Sequence, residues 1–276
     1  MRPPISSRDQ PVSAIGEKTK TGIYWAAALV FAGALATAVA RNLAPGDIRW
    51  PETLLLAAAL AGTIAVLARQ LPFFNALFAV IVVALAGGGV SALDARTGVP
   101  FGAVIFAQKA GAKLFNLLPW VVPLIWPVAI LNSRGVARLI LRPWRKTKSY
   151  GFRLIGLAAV LGAAFDFAFE PFATRVKHYW FWEPTALPFT WMGAPVVAFL
   201  SWALVTVLIL AFVTPLLINK KPHSKTAPDF FPLGIWLGGL LLFGTACAVQ
   251  KLWPAVVADA VIGLVAALFA IRGAKW

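Results

Sequence analysis

Long apolar runs, separated by short basic or turn-forming segments, dominate the pattern of hydrophobic and polar positions along the chain. Eight runs are about as long as the ~20 residues that an α-helix needs to cross a bilayer core. The predicted spans are Ile23–Ala40, Thr53–Ala68, Phe73–Leu93, Leu114–Leu131, Leu154–Phe172, Ala194–Ile218, Phe230–Val249 and Pro254–Ile271. The pattern predicts an all-α polytopic membrane helix bundle. Its single transmembrane domain spans residues 23–272, between an N-terminal cytoplasmic tail, residues 1–22, and a C-terminal tail, residues 273–276.

Three prolines at four-residue spacing, Pro119, Pro123 and Pro127, interrupt the fourth run. Residues four apart share one face of a helix. Packed neighbours in a membrane bundle tolerate the backbone groups that proline leaves unpaired. We expect either a kinked structural helix or one wall of a substrate groove.

The composition supports a membrane protein. The chain is 60% hydrophobic and only 13% charged, with a mean hydropathy of +0.81, whereas soluble domains have about 25% charged residues. The net charge of +15 does not indicate a nucleic-acid partner, because the basic residues lie between the apolar runs and suit lipid headgroups. The single cysteine, Cys247, excludes an intrachain disulfide.

The basic residues also predict an orientation. With both termini in the cytoplasm, seventeen of the 25 lysines and arginines fall on the cytoplasmic side, as the positive-inside rule requires. The richest segment, LRPWRKTKSYGFR, contains no acid and is expected to lie on anionic lipid. We predict N-in/C-in topology in a bacterial inner membrane.

Four acids lie in or at the edge of predicted spans and reach the outer half of the bilayer: Asp94, Asp166, Glu170 and Asp259. Intramembrane ionisable residues are functional candidates by default. Asp166 and Glu170 are four residues apart and therefore share one helix face. Two close acids in an apolar setting cannot both ionise at low cost, so one is expected to hold a proton as a general acid.

A purely structural role for these acids is the alternative. In that case Asp166 or Glu170 pairs with Arg175 or Lys177, which follow in the sequence. No histidine or cysteine spacing is typical of a metal site, and the expected chemistry requires no cofactor. The run Gly87–Gly89 is expected to allow close helix packing.

Two ordered stretches of residues lie between Asp94 and Trp202. The first stretch contains Asp94, then Thr97-Gly98-Val99-Pro100-Phe101-Gly102, then Pro119, Pro123 and Trp126. The second contains Asp166, Glu170-Pro171, Trp180-x-Trp182, Gly193-x-Pro195, Phe199 and Trp202. The segment from Asp94 to Trp202, which holds both stretches, is well over a third of the chain, and its pattern resembles the carotenoid biosynthesis family of CruF-type carotenoid 1′,2′-hydratases.

The resemblance implies a hydro-lyase that adds water to a terminal isoprenoid C=C of an acyclic carotenoid end. An acid would protonate the double bond, and water would capture the tertiary carbocation. The implied catalytic residues are Asp166, Glu170 and Asp94, and which of them donates the proton stays open. The residues implied to bind the carotenoid or other isoprenoid lipid are Phe101, Trp126, Phe169, Trp180, Trp182, Pro195, Phe199 and Trp202.

The chain departs from the family pattern at several positions. Ala198 stands where the family has asparagine, Ser201 where it has glycine, and Val104 and Phe106 where tyrosines are expected. The missing amide and phenol groups remove hydrogen bonds that would position water or substrate. This indicates a divergent member with another lipid substrate or with weaker activity.

Two further function classes fit the residues. A non-catalytic carotenoid- or lipid-binding membrane protein would use the aromatic residues without the chemistry. A small transporter would use the acids as a proton relay, and its activity would depend on a pH gradient, whereas hydration would not.

Overall fold

The structure is a computed structural model that describes residues 10–43, 50–184, 189–218 and 227–276, with side chains from residue 19 in the first range and from residue 52 in the second. It is 77% helical and has eight helices, which confirms the all-α bundle. The helices are α1 Gln10–Leu43, α2 Trp50–Gln70, α3 Phe73–Thr97, α4 Val122–Ile140, α5 Tyr150–Pro171, α6 Val196–Val213, α7 Phe231–Val249 and α8 Trp253–Ala274. Residues 1–9 of the expected N-terminal tail, and the basic residues Lys220, Lys221 and Lys225, lie outside the described ranges.

Polar contacts between helix ends show that successive helices alternate in direction. Tyr24, the sixth residue of the membrane-spanning part of α1 (Thr19–Leu43), donates a hydrogen bond at 2.7 Å to the Asp229 carboxylate, which precedes α7. Arg69, at the end of α2, lies 3.8 Å from the same carboxylate. The start of the membrane-spanning part of α1, the end of α2 and the start of α7 therefore lie at one end of the bundle.

The same end also holds the C-terminal helix. Arg138, near the end of α4, donates to the side chain of Gln70 at the end of α2. A Cβ atom on Gly273 would lie 2.3 Å from the Leu139 carbonyl oxygen, so the end of α8 packs directly on α4. We call this end, where α1 begins and α8 ends, the terminal end, and the opposite end the site end. This places both ends of the described chain at one face, as N-in/C-in topology requires.

Seven of the helices are long and apolar enough to cross a membrane, so the protein is an integral membrane protein. The exception among the described helices is α4, which carries Asn132, Ser133 and Arg134 in its interior. All three are buried. Because α4 contacts α2, α3, α5, α7 and α8, it is enclosed by protein and does not need an apolar surface.

The bounds predicted for the fourth span, Leu114–Leu131, are wrong. Residues Lys113–Leu114 and Leu118–Pro119 instead form a short hairpin, and the helix begins at Val122. Pro119 lies in the hairpin, whereas Pro123 is accommodated in the first turn of α4. Pro127 lies farther along the helix. Because Pro119 is outside the helix, the three prolines do not form one helical face.

Three small antiparallel ribbons cover the site end, in the connections that follow α3 and α5. Strand β1 (Val104–Phe106) pairs with β4 (Trp180–Trp182), β2 (Lys113–Leu114) with β3 (Leu118–Pro119), and β5 (Thr190–Trp191) with β6 (Ala194–Pro195). The β1–β4 ribbon links the two connections, which are distant in sequence. It therefore brings together the two stretches that the sequence analysis singled out.

Candidate functional site

The loop after α3 is folded against the end of that helix by the Asp94 side chain. Gly98 is left-handed (φ 70°), and its N–H donates to the Asp94 carbonyl at 2.7 Å, as helix-ending glycines do. Asp94 Oδ1 accepts hydrogen bonds from the backbone N–H groups of Phe101 at 2.7 Å and Gly102 at 3.3 Å. Asp94 therefore fixes this loop, and its Oδ2 receives no hydrogen bond from any described residue.

The ribbon that follows this loop carries two indole rings to the acids of α5. In the antiparallel pairing, Val104 lies opposite Trp182, and Phe106 lies opposite Trp180. Side chains alternate between the two faces of a strand, so Trp180 and Trp182 point to one side while Phe181 points to the other. Phe181 is 49% exposed, and its two neighbours are partly buried.

The two α5 carboxyl groups are both buried but have different partners. Glu170 is 2% exposed, and its Oε1 accepts a hydrogen bond at 3.1 Å from the Trp180 indole N–H and another from the Trp182 indole N–H. Asp166 is 7% exposed, and none of the side chains or backbone groups that the structure describes donates a hydrogen bond to it. The indoles therefore stabilise the carboxylate form of Glu170, whereas Asp166 has no comparable support.

The nearby basic residues do not neutralise these acids. Arg175 Nε donates to the Met192 carbonyl at 3.0 Å. Lys177 forms its ion pair with Glu52 at the start of α2. The alternative in which Asp166 or Glu170 pairs with Arg175 or Lys177 is therefore wrong.

The acids line a cavity of about 70 Å³ at the site end, which we call the acid cavity. Its walls include all three predicted catalytic acids and six of the eight predicted substrate-binding residues. Those in the wall are Asp94, Asp166, Glu170, Phe101, Trp126, Phe169, Trp180, Trp182 and Trp202. A site of this size accepts a few water-sized groups or the end of a chain, since one water needs about 10–15 Å³ of such space.

Pro195 and Phe199 are the two predicted binding residues outside the cavity wall. Phe199 packs edge-on against Phe167 at 5.1 Å between ring centroids, on the outward side of α5. Pro195 lies behind the loop, because a Cβ on Gly102 would meet its ring at 3.0 Å. Neither residue reaches into the cavity.

A stacked pair of tryptophans forms one wall of the acid cavity. The rings of Trp126 and Trp202 lie 3.7 Å apart at an interplanar angle of 7°. Trp126 also donates through Nε1 to Ser91 Oγ at 3.0 Å. Its position requires Gly87, because a Cβ there would lie 2.1 Å from the Trp126 ring. The predicted close packing at the glycine run is confirmed at this point.

Three cavity residues were not singled out in the sequence analysis: Ser91, Val122 and Ile125. Ser91 lies three residues before Asp94 and hence on the same face of α3, a signal that could have identified it. Val122 and Ile125 were hidden by the wrong helix bounds. Val104, Phe106 and Ala198, where polar groups are missing relative to the resembled family, also line the cavity.

The chemistry of the acid cavity follows from its walls. Within the described chain, they carry three carboxyl groups and no lysine, arginine or histidine, and the remaining surface is mostly aromatic. Among all the described residues, no three acids, histidines or cysteines are grouped closely enough to hold a metal ion. Such a site can hold and release a proton and can present aromatic faces to a cation.

Comparison with known proteins gives one match. The family model described as "Carotenoid biosynthesis protein" matches residues 51–266, which is more than half of the chain. The match includes both stretches that form the acid cavity. No curated protein and no solved structure matches the chain.

Proposed function

Because this chain belongs to the carotenoid biosynthesis protein family, we propose that it is a membrane enzyme that hydrates a terminal C=C of an acyclic carotenoid end. A role in carotenoid biosynthesis and association with an isoprenoid substrate follow from the family. Hydration as the specific reaction is our proposal and goes beyond the family assignment. A helical bundle with a positive-inside bias supports placement in a bacterial inner membrane.

One observation carries the proposal: two acids of one helix face line an aromatic cavity but have unequal hydrogen bonding. Asp166 has no donor among the described residues, whereas Glu170 accepts from two indoles. Two adjacent acids with different surroundings suit opposite roles in proton transfer. Asp166 is better suited to carry the proton, and Glu170 to remain ionised.

The reaction then proceeds in two steps whose protons balance. Asp166 gives its proton to the less substituted carbon of the terminal double bond, and the π electrons form the new C–H bond, which leaves a tertiary carbocation. Water attacks the cation through an oxygen lone pair and forms the C–O bond. Glu170 accepts the proton that this water loses. Proton return from Glu170 to Asp166, which are neighbours on one helix face, restores the starting state.

The cavity walls match the charges that develop during these steps. Trp126 and Trp202 line the cavity together with the acids, and an aromatic face turned to the cation stabilises it by about 0.5–2 kcal/mol. Asp94 Oδ2 is available to hold the attacking water, because Oδ1 is used by the loop. About 70 Å³ leaves room for one chain end and little else, which limits competing reactions of the cation.

Expression in a host that accumulates an acyclic carotenoid tests the proposal. Pigments extracted from cells that contain the wild-type protein should gain the mass of one water at each modified end. Cells with Asp166→Asn at the same protein level should accumulate only the unmodified pigment. Unchanged pigment with the wild-type protein present in the membrane would contradict the hydratase assignment.

A second candidate, a non-catalytic carotenoid-binding protein, is favoured by one specific observation. The cavity wall lacks three polar groups that the resembled family has, because Val104, Phe106 and Ala198 stand at those positions. For this candidate, purified protein should contain bound pigment of unchanged mass, and Asp166→Asn should alter neither the amount nor the mass of that pigment. The hydratase predicts a mass gain that depends on Asp166.

A further inference from the structure

A second and much larger cavity adjoins the acid cavity. It has a volume of about 730 Å³, against about 70 Å³ for the acid cavity, and lies between α1, α2, α4, α5 and α7. Four side chains line both spaces: Val122, Ile125, Phe169 and Trp180. The volume falls within the range of about 300–1,000 Å³ that is usual for small-molecule sites. We call this space the long chamber.

The long chamber extends along the axis of the bundle. On α1 its lining residues run from Phe31 to Leu43, and on α7 from Ile235 to Val249. At a rise of 1.5 Å per residue, these ranges correspond to about 18 Å and about 21 Å. The chamber is therefore elongated, which suits a linear molecule better than a compact one.

The chamber has an apolar interior and a polar rim. Rings from α1, α5 and α7 line its interior, namely Phe31, Phe165, Phe169, Phe172 and Phe243. Polar side chains lie at its site end, where Arg41, Asn42, Glu52, Lys109, Lys177 and Gln250 contribute. Burial, together with Glu52, raises the pKa of Tyr179, so its phenol stays neutral in the chamber wall. The interior therefore suits an uncharged hydrocarbon body.

We propose that the long chamber binds the body of the linear isoprenoid substrate, with its reactive end in the acid cavity beside Phe169 and Trp180. This inference rests on the proposed function, since it assigns the site for the rest of the same substrate. Because the two spaces share wall residues, a chain in the chamber lies directly beside the acids. This favours an isoprenoid substrate over a bilayer phospholipid as the occupant.

Filling the chamber from α2 provides the sharpest test. Ala59 is buried and lines the chamber, whereas Ala57, two residues earlier, is exposed on the same helix. Ala59→Phe should occupy part of the chamber, and Ala57→Phe adds the same ring outside it. Leu56→Trp, also from the chamber wall, is a second filling variant in case Ala59→Phe does not fold.

The measurement is the amount of carotenoid per protein, by absorbance and mass, after purification in detergent from a host that accumulates an acyclic carotenoid. Wild type and Ala57→Phe should retain equal amounts of pigment. Ala59→Phe or Leu56→Trp should retain at least about tenfold less, because overpacking opposes binding. Pigment retained at the wild-type level by both filling variants, or a phospholipid displaced in place of pigment, would overturn the chamber assignment.

The two proposals fail in different ways. If the filling variants lose pigment but the pigment from wild type shows no change in mass, the chamber assignment holds and the hydratase reaction is wrong. If wild type and both filling variants form hydrated product equally well, the reaction holds and the chamber assignment is wrong.

Discussion

Buried polar side chains in the two halves of the bundle differ in how they are paired. In the terminal half, Asn132 donates to Thr63 Oγ1 and to the Val128 carbonyl, both at 2.8 Å, and Thr63 donates to the Ala59 carbonyl at 2.7 Å. In the site half, no described group donates to Asp166, which faces the acid cavity. A buried polar group without a partner is costly, and a ligand in the cavity can supply the partner that Asp166 lacks.

A matched pair of tryptophans shows the same contrast. Trp126 donates to Ser91 Oγ at 3.0 Å, and Trp236 donates to Ser133 Oγ at 3.1 Å; both indoles are 1% exposed. Trp126 stacks on Trp202 and lines the acid cavity, whereas Trp236 lies in the closed core. Similar hydrogen bonds therefore serve a cavity wall in one half and helix packing in the other.

The largest expected effect comes from removing a cavity acid. Asp166→Asn should lower product formation by about 10²–10⁴-fold, the usual contribution of general acid–base catalysis, without loss of stability. Asp259→Asn is the matched control, because Asp259 is also buried and has no hydrogen-bond partner among the described residues, but lines neither cavity. Product yield per folded protein checks both variants. Equal losses in the two would break the distinction between a cavity acid and any buried acid.

A glycine in each half of the bundle permits close helix packing, and substitution of either glycine by alanine should disturb that packing. A Cβ at Gly87 would lie 2.1 Å from the Trp126 ring, and one at Gly135 would lie 2.4 Å from Pro232. Gly87→Ala and Gly135→Ala should each cost about 1–3 kcal/mol of stability through overpacking. Only Gly87→Ala should also reduce activity per folded protein, because it displaces a cavity wall. Gly89→Ala, where the added carbon meets open space, should match wild type in both thermal melting and pigment assays.

A smaller effect is expected from single indole hydrogen bonds. Trp182→Phe removes one donor to Glu170 and should lower activity about tenfold, since a hydrogen bond to a charged group is worth about 1.5–3 kcal/mol. Trp236→Phe removes the donor to Ser133 and should leave the rate unchanged. Initial rates at equal amounts of folded protein compare the two. A rate loss in Trp236→Phe that equals that of Trp182→Phe would contradict a special role for the indoles at Glu170.

The smallest effect should come from the two serine partners. Ser91→Ala and Ser133→Ala should each cost about 0.6 kcal/mol, the average for side-chain hydrogen bonds within membrane proteins. Thermal melting in detergent measures both. Ser91→Ala should in addition change the rate by a few fold, because Ser91 lines the acid cavity. An unchanged rate would show that Trp126 keeps its position without the serine.

Helices with strong apolar runs could be predicted closely from the sequence. The predicted Phe230–Val249 span differs from α7 by one residue, because hydrophobic length and the proline after Phe231 mark both its ends. The bounds of α4 could not be predicted in the same way. Its buried Asn132 and Arg134 are tolerated only because neighbouring helices enclose it, and that enclosure is a tertiary property.

The candidate site shows a similar division. The spacing of Asp166 and Glu170 was sufficient to predict a shared face, because helical periodicity is local. The indole partners of Glu170 depend on pairing between Val104–Phe106 and Trp180–Trp182, which the sequence pattern does not reveal. Trp202 lies in the cavity wall and Phe199 lies outside it, and this difference also depends on packing.

Incubation of purified protein with an acyclic carotenoid in ¹⁸O-labelled water tests the central claim most directly. Wild type and Asp259→Asn should form a product that has gained one labelled water at each modified end, whereas Asp166→Asn should not. Formation of labelled product by Asp166→Asn at the wild-type rate would contradict the account. So would wild-type protein that binds the carotenoid without any gain of label.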